Sequence, residues 1–178
     1  MKRVLSLVFS MGLAVTSAGC GCGCGEDQNC GAIGGELIMP RALLDLNVSK
    51  IQVIALDNGS GRNVGRLLST CQKSNLGSEF QKDDMVEIHD GGDKKDALVV
   101  DVTRAELESG VELQIELETG TNYLFIFEIL GTDESGALKL LANGSSVYEK
   151  VSKGSDNKSF SVSLEAKETA PDCDPLFN

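Results

Sequence analysis

The sequence predicts an all-β protein, an antiparallel β-sandwich of about seven to eight strands. Apolar and polar residues alternate without a break from Val111 to Glu118, and this period of two is typical of a strand with one face in a core. Short segments of similar character recur roughly every eight to twelve residues between turn signals. No segment has the apolar spacing of a convincing amphipathic helix, which also favours a sandwich.

In the first half of the domain, the sequence predicts few strands. Lys50–Asp57 is rich in β-branched residues and ends at the turn signal Asn58-Gly59. Glu36–Pro40 is expected to be an edge strand or a lead-in, because proline lacks the amide hydrogen that a central strand needs. One helical turn fits Arg41–Leu46. Two short strands, with a loop between them, are expected at Met85–His89 and Ala97–Val102.

The second half is more regular. Tyr123–Leu130 is apolar at nearly every position, which indicates a central strand covered on both faces. Thr132–Gly136 predicts a hairpin turn that leads into a strand at Ala137–Ala142, and Asn143-Gly144 predicts a further turn of type I′. The last expected strands are Val147–Val151 and Phe160–Leu164, the latter with Phe160, Val162 and Leu164 facing inward.

The amino terminus has the layout of a secretory signal. Lys2 and Arg3 precede an apolar stretch, Val4–Val15, and small residues follow up to Gly19. About twelve apolar residues are too few for a helix across a bilayer core, which needs roughly 20. We therefore expect residues 1–19 to be an export signal rather than a membrane span.

The end of this signal, Ser17-Ala18-Gly19-Cys20, resembles the lipobox of bacterial lipoproteins. The resemblance implies that Cys20 becomes the first residue of the mature chain and carries the lipid, so that several acyl chains hold the protein on a membrane. Gly21 follows the cysteine where an aspartate would imply retention, which implies the outer membrane. Ordinary signal cleavage is the alternative, and it would release a soluble secreted protein.

The mature chain divides into three parts. Residues 20–36 are rich in glycine and cysteine and are expected to be a flexible tether. Residues 37–166 are expected to form the sandwich, and residues 167–178, which contain Pro171 and Pro175, to form a tail.

The cysteines indicate a disulfide framework with one thiol left over. If Cys20 is acylated, five cysteines remain, and an odd number leaves one unpaired within the molecule. Cys71 and Cys173 are the expected structural pair, because the other three lie on the tether. Those three (Cys22, Cys24 and Cys30) could form a thiolate metal site, but their spacing does not fit a structural zinc site.

Candidate sites for chemistry are few. Asp90, Asp93 and Asp96 lie in a glycine-containing loop and are candidate ligands for Ca²⁺, although their spacing is not that of an EF-hand. A solvated acidic loop is the alternative. His89 is the only histidine, and no nucleophile motif accompanies it. We therefore expect no enzymatic activity and no cofactor; a secreted protein with Ca²⁺-dependent binding, or a hydrolase, is the alternative.

Charge and composition restrict the partners. The net charge is −11, and removal of Lys2 and Arg3 with the signal makes it −13. We expect no nucleic-acid partner, because such binding depends on many basic contacts to phosphate. The chain has no Trp and two Tyr, so few aromatic rings remain for stacking on ligands. The expected partners are the membrane, through the lipid anchor, and an envelope protein or a surface polymer.

A second resemblance concerns architecture. Glu118-Thr119-Gly120, the aromatic-rich run Tyr123–Phe127, and Asp133 with Gly136 are similar to transthyretin-like and fibronectin-like sandwich modules. The likeness covers some thirty residues and implies a two-sheet sandwich. Such folds host many functions, so the resemblance implies no activity.

Overall fold

The computed structural model describes residues 29–90, 93–154 and 157–176, which form an all-β sandwich of two sheets. The first sheet has the strand order β10-β1-β6-β3-β4, and the second has the order β11-β8-β7-β2-β5, with β9 paired to β7. The strands are β1 (Cys30–Ile38), β2 (Val48–Leu56), β3 (Ile88–Asp90), β4 (Asp93–Lys95), β5 (Leu98–Asp101), β6 (Val111–Glu118), β7 (Gly120–Thr132), β8 (Leu138–Ser145), β9 (Glu149–Val151), β10 (Phe160–Ser163) and β11 (Glu165–Ala166).

The helices are short and lie in the connections between strands. They are α1 (Arg41–Leu44), α2 (Val64–Leu67), α3 (Gln72–Asn75) and α4 (Arg104–Ser109), with 3₁₀ turns at Gly59–Gly61 and Lys82–Asp84. Thr103 caps α4 in a capping box with Glu106. None of the helices in the described residues has the length and hydropathy needed to cross a membrane.

The main core lies between the two sheets. The alternation in β6 is as predicted: Val111, Leu113, Ile115 and Leu117 are buried, and the residues between them are exposed or half-buried. Aromatic rings join the sheets, since the ring of Phe160 lies 6.0 Å from that of Phe125 and 5.1 Å from that of Phe127. Pairs at this separation stabilise the core beyond the area that they bury.

A second apolar cluster covers the outer face of the second sheet. Ile54 and Leu56 of β2, with Leu124 and Ile126 of β7, pack there beneath side chains from the segments 64–85 and 171–176. β7 is therefore covered on both faces, as its apolar sequence predicts.

The prediction of a tether up to residue 36 is wrong from Cys30 onward. β1 begins at Cys30 and has partners on both sides, β6 and β10, so it is an inner strand that ends before Pro40. Two of its three glycines serve close packing: a Cβ on Gly31 would collide with the carbonyl of Ser152, and one on Gly35 with the ring of Phe160.

The prediction of a tail over residues 167–178 also needs correction. The Leu140 amide donates to the Pro171 carbonyl over 2.9 Å, and the Cys173 amide donates to the Leu138 carbonyl over 3.0 Å. Cys173 and Leu176 are buried. The segment 171–176 is therefore packed on the sheet, because its few apolar residues and its cysteine find partners there.

Two further predictions are wrong in detail. Asn143 and Gly144 lie within β8 instead of a turn. The side chain of Asn143 is buried there, and its amide group donates to the Leu68 carbonyl over 2.9 Å. The sandwich is not wholly antiparallel, since β10 runs parallel to β1. The described residues contain eleven strands, more than the seven or eight expected, because short strands such as β4 and β11 carry little sequence signal.

Candidate functional site

An open groove lies on the outer face of the first sheet, across β10, β1 and β6. Its volume is about 640 Å³, within the range of ligand pockets. Its lining is mostly polar or glycine and includes Gly34, Glu36, Glu112, Gln114, Ser159 and Ser161.

The groove exists because β10 pairs with only half of β1. The pairing begins at Gly35 opposite Phe160, and just before it the side chain of Asn157 connects the chain to β1. The side-chain amide of Asn157 donates to the carbonyls of Ala32 and Ser152, each over 2.8 Å. Gly34 lies in the space that remains, where a Cβ would have no neighbour closer than 3.7 Å.

The groove is acidic at one end. Glu36 of β1 and Glu112 of β6 are directly opposite each other, and like charges in this position repel. Neither carboxylate makes an ion pair with another described residue. A cationic group on a bound ligand would relieve this repulsion.

A buried carboxyl group, Glu128 of β7, lies on the outer face of the second sheet. It is fully buried, and it accepts a hydrogen bond from the side chain of Gln52 over 2.6 Å and one from the backbone amide of Gln72 over 2.7 Å. Gln52 in turn accepts from the Leu176 amide over 2.6 Å. The carboxyl thus joins two strands to both of the segments that cover them.

Burial raises the pKa of Glu128 to about 7, because a charge in an apolar surrounding loses its hydration. The bonds from Gln72 and Gln52 and the positive charge of Lys167 oppose this increase in pKa. Lys167 is itself half-buried, and the loss of hydration lowers the pKa of its ammonium group. This group donates to the Leu68 carbonyl over 2.6 Å.

Cys71 and Cys173, the pair expected from the sequence, form a disulfide beside Glu128, with an S–S distance of 1.95 Å. A carboxylate oxygen of Glu128 and the two sulfur atoms lie within 4.8 Å of one another. Because each sulfur is bonded to the other, neither is a thiolate that could bind a metal here. The disulfide links the α2–α3 region to the segment 171–176.

The remaining cysteines belong to the amino-terminal side. Cys30 is also disulfide-bonded, and its partner lies outside the described residues. Cys20, Cys22 and Cys24 lie outside the described residues as well, so the predicted lipid attachment at Cys20 stays a prediction.

The structure does not gather the three candidate calcium ligands. Asp90 forms an ion pair with Lys95, and Asp96 forms one with Lys82 over 3.1 Å. Asp93 lies at the start of β4, which the sequence did not predict. In the part of the chain that is described, the oxygens of these three aspartates do not converge, so the geometry adds no support to Ca²⁺ binding.

His89 lies in β3, on the outer face of the first sheet. Its cross-strand neighbours are Glu116 and Lys94. The side chain is 5% exposed, and neither ring nitrogen has a hydrogen-bond partner among the described residues. A buried imidazole without such partners destabilises the fold, and this arrangement supplies no nucleophile for the histidine to activate.

Sequence reasoning missed both Glu128 and the groove. The signal for Glu128 is present, since it is the only charged residue in a strand that the sequence places between two apolar layers. The groove has no local signal, because it depends on where β10 pairs with β1.

Comparisons with family models, with curated proteins and with solved structures found no significant match to this chain.

Proposed function

We propose that this protein is an exported lipoprotein whose β-sandwich is a non-catalytic binding module of the cell envelope. Cys20 carries the lipid, and the groove on the first sheet binds the ligand. The ligand is a component of the envelope, either a protein or a surface polymer.

Export is supported by the disulfides. The buried bond between Cys71 and Cys173 is typical of proteins that fold in an oxidising compartment, and Cys30 is disulfide-bonded too. Both observations agree with the signal layout of residues 1–19.

The groove is the observation that carries the binding role. It combines a usable volume of about 640 Å³ with hydrogen-bonding side chains from three neighbouring strands. Its floor at Gly34 leaves main-chain atoms open to a ligand, because glycine has no side chain to cover them.

The anchor is tested by metabolic labelling with palmitate. Wild type is expected to incorporate the label and to partition into the detergent phase, and Cys20→Ser to do neither. Cys22→Ser is the matched control, since it removes a neighbouring thiol and is expected to label like wild type. Labelling of Cys20→Ser, or none of wild type, would contradict the anchor.

The groove is tested by filling it. Gly34→Leu places a side chain in the open space, and Ser163→Leu places the same side chain on the same sheet face, at a position outside the groove lining. Envelope components retained by acylated wild type and by Ser163→Leu are expected to be lost by Gly34→Leu. Equal retention by all three proteins would show that the groove is not the binding surface.

A further inference from the structure

The chain enters the sandwich at one end, called here the entry end. The Asn29 carbonyl accepts a hydrogen bond from the Thr119 amide over 2.7 Å, and Cys30 is paired with Glu118. β7 begins beside them at Gly120, which is paired with Val151 of β9. The start of β1, the end of β6 and the start of β7 therefore meet at this end.

The distance to the anchor is short. Ten residues lead from Cys20 to Cys30, and a chain of this length spans no more than about 36 Å even when fully extended. β7 has 13 residues and spans about 40 Å from the entry end to the far end of the sheet. A lipid on Cys20 would therefore tether the sandwich by its entry end.

An exposed apolar turn, Val147-Tyr148, lies beside the entry end. Val147 is 75% exposed and Tyr148 is 42% exposed. The turn is fixed on both sides to the first part of β7, because the Ser146 amide donates to the Phe125 carbonyl over 3.0 Å and Glu149 is paired with Tyr123. β8 ends at Ser145, just before this turn, so it lies at the end of the second sheet.

Basic residues follow this turn. Lys150, Lys153 and Lys158 are exposed, and none of them forms an ion pair with another described residue. Lys150 lies in β9, two residues after Tyr148. These three lysines lie within a span of nine residues, in a chain of net charge −11.

We propose that Val147, Tyr148 and the three lysines form a membrane-resting surface, which lies on anionic phospholipid headgroups beside the lipid anchor. This inference rests on the proposed acylation of Cys20. Tyrosine and valine enter the boundary between headgroups and acyl chains, where an aromatic ring with a polar tip is favoured. Lysines add attraction to anionic lipids.

The surface is small, and it depends on the anchor. Two apolar side chains and three lysines bind a membrane weakly by themselves. A protein already held at the bilayer meets it at a high effective concentration, so a weak contact is enough to fix an orientation. The sandwich would then stand with its entry end down and its far end exposed to partners.

The absence of Trp from the chain makes the test direct. Acylated full-length Val147→Trp carries a single indole in the proposed surface. Acylated Leu46→Trp is the matched control: Leu46 is 46% exposed and lies beside Asn47, whose side chain bonds Thr132 at the far end of β7. Both proteins are reconstituted into phosphatidylcholine vesicles, with and without phosphatidylglycerol, made from lipids brominated on their acyl chains.

In anionic vesicles, bromine is expected to quench the indole of Val147→Trp and to shift its emission to the blue. The indole of Leu46→Trp, about 25 Å away along the sheet, is expected to be unaffected. Adding Lys150→Gln, Lys153→Gln and Lys158→Gln to Val147→Trp is expected to remove the difference between anionic and neutral vesicles.

Two failures are distinguishable. If Val147→Trp protein floats with the vesicles but is not quenched, or if Leu46→Trp is quenched as strongly, the membrane-resting surface is wrong and the anchor stands. If Cys20→Ser floats as well as wild type, or wild type does not float, the proposed acylation is wrong, and the inference fails with it.

Discussion

Glu128 is expected to make the protein less stable as the pH rises towards neutrality. Its pKa is raised from 4.5 to about 7 in the folded protein, so the folded state binds the proton more tightly than the unfolded state does. The stabilisation from this proton is fully present below the unfolded pKa and is lost as the pH rises through the folded pKa. Between pH 5 and pH 8 the expected loss in the free energy of unfolding is about 2–3 kcal/mol.

Glu128→Gln removes the titration and keeps the shape of the side chain. The amide can accept only one of the bonds that Gln52 and Gln72 donate, so the variant also loses stability, by about 1–3 kcal/mol. An amide does not titrate, so this contribution to the stability of the variant is the same at pH 5 and at pH 8. It therefore cancels when the free energies of unfolding at pH 5 and pH 8 are subtracted for each protein.

The assay is denaturant unfolding under non-reducing conditions at both pH values. Wild type is expected to lose about 2–3 kcal/mol more than Glu128→Gln on going from pH 5 to pH 8. Glu134→Gln, at an exposed position in the β7–β8 turn, is the control and is expected to follow wild type. If Glu128→Gln shows the same difference as wild type, the buried carboxyl does not have the raised pKa, and this reasoning is refuted.

Three further predictions concern the disulfide, the glycines of β1 and the histidine. Replacing Cys71 and Cys173 together by serine removes a link across 102 residues. This change is expected to lower the free energy of unfolding by about 2–5 kcal/mol. An unchanged denaturation midpoint would contradict a stabilising role of the disulfide. Gly31→Ala is expected to cost about 1–3 kcal/mol through overpacking, whereas Gly34→Ala has space and is expected to change the melting temperature little; similar effects of both would contradict the packing reason. His89→Leu removes two buried nitrogens without partners among the described residues and is expected to stabilise by about 1 kcal/mol, and a lower melting temperature would show that the imidazole has a partner.

Local patterns predicted the regular strands well. The bounds of β6 are those that the alternation from Val111 to Glu118 predicts, because the side chains of a strand point alternately to its two faces. β7 lies between two apolar layers, as its composition indicates. The inward residues Phe160, Val162 and Leu164 are buried as expected.

The candidate site could be predicted only in part. The pairing of Cys71 with Cys173 followed from exclusion of the cysteines near the amino terminus. The groove, with Glu36 opposite Glu112, could not be predicted, because the register between β1 and β6 joins residues that are far apart in the sequence. Its edge depends on a parallel pairing that no local pattern indicates.

The sequence by itself determined that the chain would form strands, where the strongest of them lie, and which side chains face the core, because these properties depend on neighbours along the chain. The tertiary structure alone decided that glycines of the predicted tether are packed in a strand. Gly31 and Gly35 belong to an inner strand because Ser152 and Phe160 approach their backbone too closely for any side chain. It also decided that Glu128 is buried, since the segments that cover it come from the α2–α3 region and from the carboxyl-terminal segment 171–176.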